Sequence, residues 1–430
     1  MIPLLEHAES KVDMSEKIKK ILDWFDKRIG ISNTFLRPIP AYSLEISHWI
    51  GAMVLTFFVI LVITGVLLVF YFVPTSAIGP DGLPKAYSSV KFVDENIPFG
   101  LTLRTLHLYS AYGMLITAAL HFFRQLITGA YKRPRELMWI ISLILGFVVL
   151  AQAFTGYLLP YTAQSVYATQ VGYNFALQVP FLGNFIAFIM EGIGNQDIVQ
   201  RFFILHVFIL PGSIVLLLAI KLYMFENHGA FDPLRDKRNP KKIKHYLWFP
   251  KGVVFVSKWA LIHTGIVILF ASLIPAKLGE VYDPRAPLAE IPLPEWYFYF
   301  VYTLIRLRFP DSYVSFMRSL GVQDVASFTT LAILMIVGIY ILLLPFIDRR
   351  KEVHISKRFK FVVLGNIIVA EAVLYTMIIF LFKLYLDTQG AFGWSFETST
   401  DFTLVTGLSI LVAALMFGVT YSIYKMKKWI

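Results

Sequence analysis

For 54 residues, from Leu137 to Met190, the chain carries no Asp, Glu, Lys or Arg. Six shorter stretches are equally free of charge: Ile46–Pro80, Thr105–Phe123, Phe202–Ile220, Trp259–Ala276, Val325–Ile347 and Phe402–Tyr424. A seventh, Phe361–Phe382, holds only Glu371. A helix that crosses the hydrocarbon core of a bilayer needs about 20 apolar residues. The Leu137–Met190 stretch is too long for one crossing. Pro160 and Pro180, with polar residues between Thr162 and Asn174, break it. It reads as one span ending near Leu159, followed by interfacial helices. Eight spans result, lettered A to H in chain order. The expected fold class is an all-α membrane protein with eight transmembrane helices. The overall balance agrees. With 57% hydrophobic and 16% charged residues, the chain is neither a soluble globular enzyme, whose charged share is about a quarter, nor a disordered one.

Loop charge orients the spans. Of the 39 Lys and Arg residues, 27 fall on the side that holds the N-terminus and 9 on the other. The positive-inside rule then puts both termini in the cytoplasm, as in a multi-pass protein of a prokaryotic cell membrane. The net charge of +11 expresses this topology, and no nucleic-acid partner is expected. There is no cysteine, so disulfides, thiolate metal sites, Fe–S clusters and thioether-attached haem are excluded from this chain. Before span A, Ile18, Ile21, Leu22, Phe25 and Ile29 recur at helical spacing. Lys17, Lys19, Lys20, Asp23, Asp26 and Lys27 lie opposite, with Ser15 placed to cap the start. Residues 1–45 thus read as an inner-side amphipathic segment, lying on the leaflet or packed on a partner subunit. They are too polar for a cleavable signal peptide.

Ionisable side chains inside a span are costly and mark function. His107 and His121 stand in span B, 14 residues apart. That is close to four helical turns, so both face one way, about 21 Å apart. Spans B and D both run from outside to inside. His107 and His206 therefore meet near the outer surface, where two imidazoles can clamp the iron of a haem from opposite faces. The inner partner of His121 is expected 14 or 15 residues after His206, and Lys221 stands at +15. A neutral amine can ligate iron through its lone pair, and burial favours the neutral form. The other reading of Lys221 is a side chain snorkelling from the inner end of span D. Met224 and His228 are nearby but in poorer register.

Small residues repeat the same spacing. Gly51 and Gly65 are 14 apart in span A, and Ser142 and Gly156 are 14 apart in span C. Such positions let a backbone approach a large flat ligand; taken alone they also suit helix–helix packing. Matching intervals on three helices favour a four-helix bundle, A to D, with two haem-sized slots. A transporter or proton channel would need broken helices at mid-membrane instead.

These residues resemble cytochrome b, the core subunit of cytochrome bc-type quinol-oxidising complexes. The resemblance covers nearly the whole chain. It is carried by Arg104-x-x-His107, His121-x-x-Arg124, Gly156-Tyr157-Leu158-Leu159-Pro160 and Pro294-Glu295-Trp296-Tyr297. Lys132-Arg133-Pro134-Arg135-Glu136-Leu137 and the +15 spacing are similar to the cytochrome b6 branch, although the two halves are here fused. The resemblance implies two b-type haems, with His107 and His206 ligating the outer one and His121 and the Lys221 position the inner one. Lys221 departs from the family's histidine. Arg104 and Arg124 would pair haem propionates. Glu295 resembles the carboxylate that takes a proton from quinol, with Tyr157, Pro160, Tyr161, Pro294, Trp296, Tyr297 and Phe298 shaping the pocket. His228 and Lys251 fall near the inner quinone site, and Gly252 stands where the family often has an acid. Glu371 has no assigned role.

Five segments follow: 1–45 at the inner surface, 46–226 as the di-haem bundle, 227–251 as a basic inner loop, 252–348 with spans E and F and the Pro-Glu-Trp-Tyr loop, and 349–430 with spans G and H. Implied partners are a Rieske Fe–S protein, a cytochrome c-type or oxidase subunit, the lipid membrane and a second copy of the chain. The implied activity is quinol oxidation outside, with electrons crossing to an inner quinone and protons translocated. A quinol-oxidase supercomplex is the alternative assembly, and a haem anchor feeding another enzyme is a third reading.

Overall fold

The computed structural model describes residues 16–30, 32, 35–191, 197–233, 239–285, 293–351, 353, 355–387 and 400–426. Seven helices are long and apolar enough to cross a membrane: Ile50–Val69 (A), Gly100–Thr128 (B), Glu136–Leu158 (C), Ile198–His228 (D), Trp248–Leu273 (E), Val325–Ile347 (F) and Arg358–Leu384 (G). The eighth expected span, H, is the helix Phe402–Met426, whose apolar part covers Val405–Val419. "Inner" and "outer" below are the sides assigned by loop charge.

The chain breaks where its chemistry directs. Span C stops at Leu158, and Thr162 caps the next helix by accepting a hydrogen bond from the Ser165 amide. Helices Ala163–Leu177 and Gly183–Glu191 follow, the interfacial pair that Pro160 and Pro180 predict. Span D starts at Asp197, whose carboxylate accepts from the Val199 amide. It widens into a π turn at Leu205–Ile209, a local loosening frequent at functional sites, and His206 sits in that turn. The outer loop between A and B holds a helix, Lys85–Asn96, that charge patterning did not suggest. At the inner surface Pro38–Pro40 pairs antiparallel with His245–Leu247. The amphipathic helix runs Glu16–Ile29, and Ile21, Trp24 and Phe25 are exposed on it. The proposed Ser15 cap lies outside the described residues, as do the side chains of Lys17, Ile18, Lys19, Leu22 and Ile29.

Phe57, Met114, Val149 and Ile214, one each from A, B, C and D, pack with Val267 of E. Met114 is seven residues from both His107 and His121, about 10 Å along the axis from each. A dry plug therefore separates the two histidine levels. The second lobe gathers Leu304, Leu307 and Phe309 against Ile378 of G and Val405 of H.

The lobes are pinned at the inner surface. Asp348 is buried at the end of span F. It accepts from Lys132 Nζ at 2.9 Å, Tyr131 Oη at 2.8 Å and Arg358 Nε at 3.1 Å. Arg358 also donates to the Leu126 and Ile127 carbonyls at 3.3 and 3.2 Å. Gly129 is in the left-handed region, φ 79°, and a Cβ there would run into the Arg358 guanidinium. Removing one partner of a buried ion cluster leaves uncompensated charge and costs about 3–5 kcal/mol. Asp348→Ala is expected to lose that much, read as a lower melting temperature in detergent. A variant that melts with the native protein would contradict it.

Candidate functional site

Spans B and D bring His107 and His206 together with ring centres 6.3 Å apart. Two iron–nitrogen bonds of about 2 Å, each extended by about 1.2 Å to the ring centre, give about 6.4 Å. The observed spacing is that of two imidazoles on one metal. Among the described residues no group of three or more His, Asp or Glu could hold a bare metal ion. The His107–His206 pair offers two imidazole ligands.

Each imidazole is steered from behind. His107 Nδ1 bonds Thr64 Oγ1 of span A at 2.8 Å, and Thr64 donates its own proton to the Ile60 carbonyl at 2.7 Å. His206 Nδ1 donates to the Gln152 carbonyl of span C at 3.0 Å. Gln152 Nε2 in turn donates to the His206 carbonyl at 2.8 Å. With Nδ1 committed on both rings, the Nε2 lone pairs remain for iron. The glycines stand against the imidazoles. A Cβ on Gly65 would be 3.2 Å from His107 Cε1, and one on Gly51 would be 3.0 Å from His121 Cε1. One on Gly156 would collide with the His206 ring. These glycines leave room for the rings that do the clamping. Ser142 turns its hydroxyl to the Met138 carbonyl of its own helix at 2.6 Å.

At the inner level His121 Nδ1 is buried without a hydrogen-bond partner. Lys221 and Arg124 both act on the ring electrostatically. Among the described residues no hydrogen bond or ion pair engages Lys221. The arginines differ. The Arg104 fork closes on Asp94 at 2.6 and 2.7 Å and on the Ala276 carbonyl at 2.6 Å. Among the described residues the Arg124 guanidinium donates to the Gln125 amide oxygen at 3.4 Å, and the Glu45 carboxylate acts on it electrostatically.

The Pro-Glu-Trp-Tyr segment packs on span B near the outer histidine level. Glu295 opens the turn Trp296–Phe298 with extended backbone, ψ 147°. Its Oε2 accepts from Tyr112 Oη at 2.7 Å. Tyr112 meets Trp296 at 5.8 Å and Tyr297 at 6.5 Å between ring centres. Among the described residues Tyr157 Oη is buried without a hydrogen-bond partner. Phe298 packs on Phe154 of span C, and Pro294 is buried. Burial pushes the Glu295 carboxyl up, and the Tyr112 bond pulls it partly back. Burial likewise raises the Tyr297 phenol.

Some expected members stand elsewhere. Tyr161 has a left-handed backbone, φ 51°. Its ring meets Tyr282 at 5.8 Å and its hydroxyl bonds Ser76. At the inner surface a cavity of about 240 Å³ is lined by Tyr42, Arg135, Phe231, Asp232 and Ile243 among others. His228 and Lys251 do not line it. The Lys251 ammonium instead sits 3.4 Å over the Tyr246 ring. Glu371 Oε2 is buried in span G without a partner, while its other contact is Ser409 of span H. Thr64, Gln152 and Tyr112 escaped the sequence reading. A glutamine inside an apolar span was the available signal for Gln152.

The N-terminal model of the family, described as Cytochrome b(N-terminal)/b6/petB, matches residues 112–284. The C-terminal model, Cytochrome b(C-terminal)/b6/petD, matches residues 283–385. The cytochrome b subunit of a menaquinol:cytochrome c reductase from Bacillus subtilis is 34% identical over 232 residues, all of that protein and 50% of this chain. The chain belongs to the cytochrome b/b6 family. A cytochrome bc complex cytochrome b subunit from Chlorobaculum thiosulfatiphilum is 29% identical over 384 residues, 87% of this chain and 84% of that one. A solved structure titled a hyperthermophilic respiratory Complex III shares the fold. Its TM-score is 0.67 at 23% identity, over 93% of this chain and 97% of that chain. The two family models meet at residues 283–284, so both cytochrome b halves are joined in one chain.

Proposed function

We propose that the chain is the cytochrome b subunit of a proton-translocating, bc-type quinol-oxidising complex. Spans B and D hold two haems, the outer between His107 and His206 and the inner between His121 and Lys221. When bound, these supply one-electron carriers at two depths, about 21 Å apart along the helix. Thr64 and Gln152 fix the outer imidazoles, and Gly51, Gly65 and Gly156 give the rings room. Arg124 is available for a propionate of the inner haem. Arg104 serves the outer one only by sharing its fork with Asp94.

Glu295 is the base at the outer site. Its carboxylate takes a proton from a quinol hydroxyl, within aromatic walls formed by Tyr157, Trp296, Tyr297 and Phe298 that exclude water. One electron, with the second quinol proton, leaves toward a Rieske Fe–S partner, and the electron goes on to a cytochrome c-type or oxidase subunit. The other crosses inward to a quinone. Any thiolate-held cluster belongs to a partner, because this chain has no cysteine. The names of the Bacillus and Chlorobaculum relatives support a bc-type assembly. The observation that carries the reading is the 6.3 Å His107–His206 pair, with His107 on the same helix whose Tyr112 binds Glu295. The test is quinol-driven haem reduction in the purified complex, native against Glu295→Gln.

A further inference from the structure

One stretch of span B clasps the E–F loop at both ends. At the loop's start, Arg104 and Thr105 bind the backbone of Ala276 at 2.6 and 3.1 Å. Tyr109 donates to the Ile274 carbonyl at 2.7 Å. At the loop's far end Tyr112 donates to Glu295 at 2.7 Å. Tyr112 is five residues from His107, so the helix that presents the outer ligand also holds the proton acceptor. Tyr112 is stacked on Tyr109, 6.1 Å between centres and 29° between planes. With Trp296 edge-on at 5.8 Å, its ring has little freedom and its hydroxyl is aimed.

We propose that Tyr112 is a positioning residue for quinol oxidation: its phenol holds the Glu295 carboxyl group turned toward span B, placed to accept a proton. The inference rests on the quinol-site reading above and deepens it. Quinol O–H gives its proton to a Glu295 oxygen, and Tyr112 keeps its own. A phenol that donates to a carboxylate stabilises the charged form more than the neutral acid. The titratable groups that face Glu295 are Tyr112 of span B, Tyr157 of span C and Tyr297 of its own segment. Among the described residues none of these is a cation, so no ion pair stands in for the Tyr112 bond.

The sign follows. Without the phenol, burial acts on Glu295 unopposed and its carboxyl titrates higher. The base form is then lost at a higher pH. In the purified, haem-loaded complex, with a short-chain synthetic quinol, Tyr112→Phe is expected to move the acid limb of kcat/KM upward by about one pH unit. Below that limb the rate falls about tenfold, while above it the rate stays within about threefold of native. KM changes little, because the ring and its contacts stay. Tyr109→Phe, which also removes a phenol bond from span B, leaves the limb in place. A Tyr112→Phe rate that falls evenly at every pH, with no displaced limb, overturns the proposal and leaves the residue a packing element. The Glu295→Gln arm separates the two readings. If Glu295→Gln oxidises quinol at the native rate, the quinol-site reading itself fails. If it is inactive while Tyr112→Phe keeps the native pH profile, only this inference fails. Unchanged haem spectra in all three variants confirm that the complex is folded.

Discussion

Glu295→Gln is expected to slow quinol oxidation by about 10²–10⁴-fold, the usual contribution of a positioned general base. The glutamine keeps the volume of the side chain and accepts from Tyr112 through its amide oxygen, so the fold and the haem spectra should not change. What it cannot do is take a proton at neutral pH. The native enzyme carries a second signature of the same group. Burial raises the Glu295 carboxyl, so its base form is lost, and activity with it, as pH falls through that raised value. Activity should be full above it. A glutamine variant with native turnover, or an acid limb that survives in the variant, would assign the proton to another group.

Lys221→Ala is the second large effect. An amine and an imidazole make a low-spin iron with two strong-field nitrogen ligands. Removing the amine leaves one axial site open. The variant should lose the low-spin signature of one of its two haems, or lose that haem altogether, while the His107–His206 haem is unaffected. Lys221→His should restore two-nitrogen ligation and keep both spectra. Its inner midpoint should differ from native by on the order of 100 mV, within the wide range that axial ligands command. Two unaltered low-spin signatures with native midpoints in the alanine variant would show that Lys221 only snorkels from the end of span D.

Much of this architecture was legible because lipid imposes one simple rule. Charge-free stretches become spans, and Pro160 and Pro180 end span C where the helices do break. The 14-residue intervals were legible too, because a helix converts sequence spacing into depth. His107 and His206 accordingly meet across two helices. What escaped involves partners distant in sequence. Arg104 reads as an unshared cation until the unforeseen helix Lys85–Asn96 supplies Asp94 to its fork. Tyr161 reads as a wall of the quinol site, and nothing in the sequence announces its ring contact with Tyr282. Tyr112 is one aromatic among 22 tyrosines, 38 phenylalanines and 8 tryptophans, and only the folded E–F loop sets Glu295 before it. The Asp348 cluster joins residues 216 apart in sequence, which no local pattern announces.

The proposed grip of spans B and D on two haems at two depths has a direct chemical readout. The haem content of the purified polypeptide, measured as pyridine haemochrome against quantitative amino-acid analysis, tests it most directly. Two non-covalently bound b-type haems per chain are the expected result. A ratio of one or none in protein that is otherwise folded would contradict it.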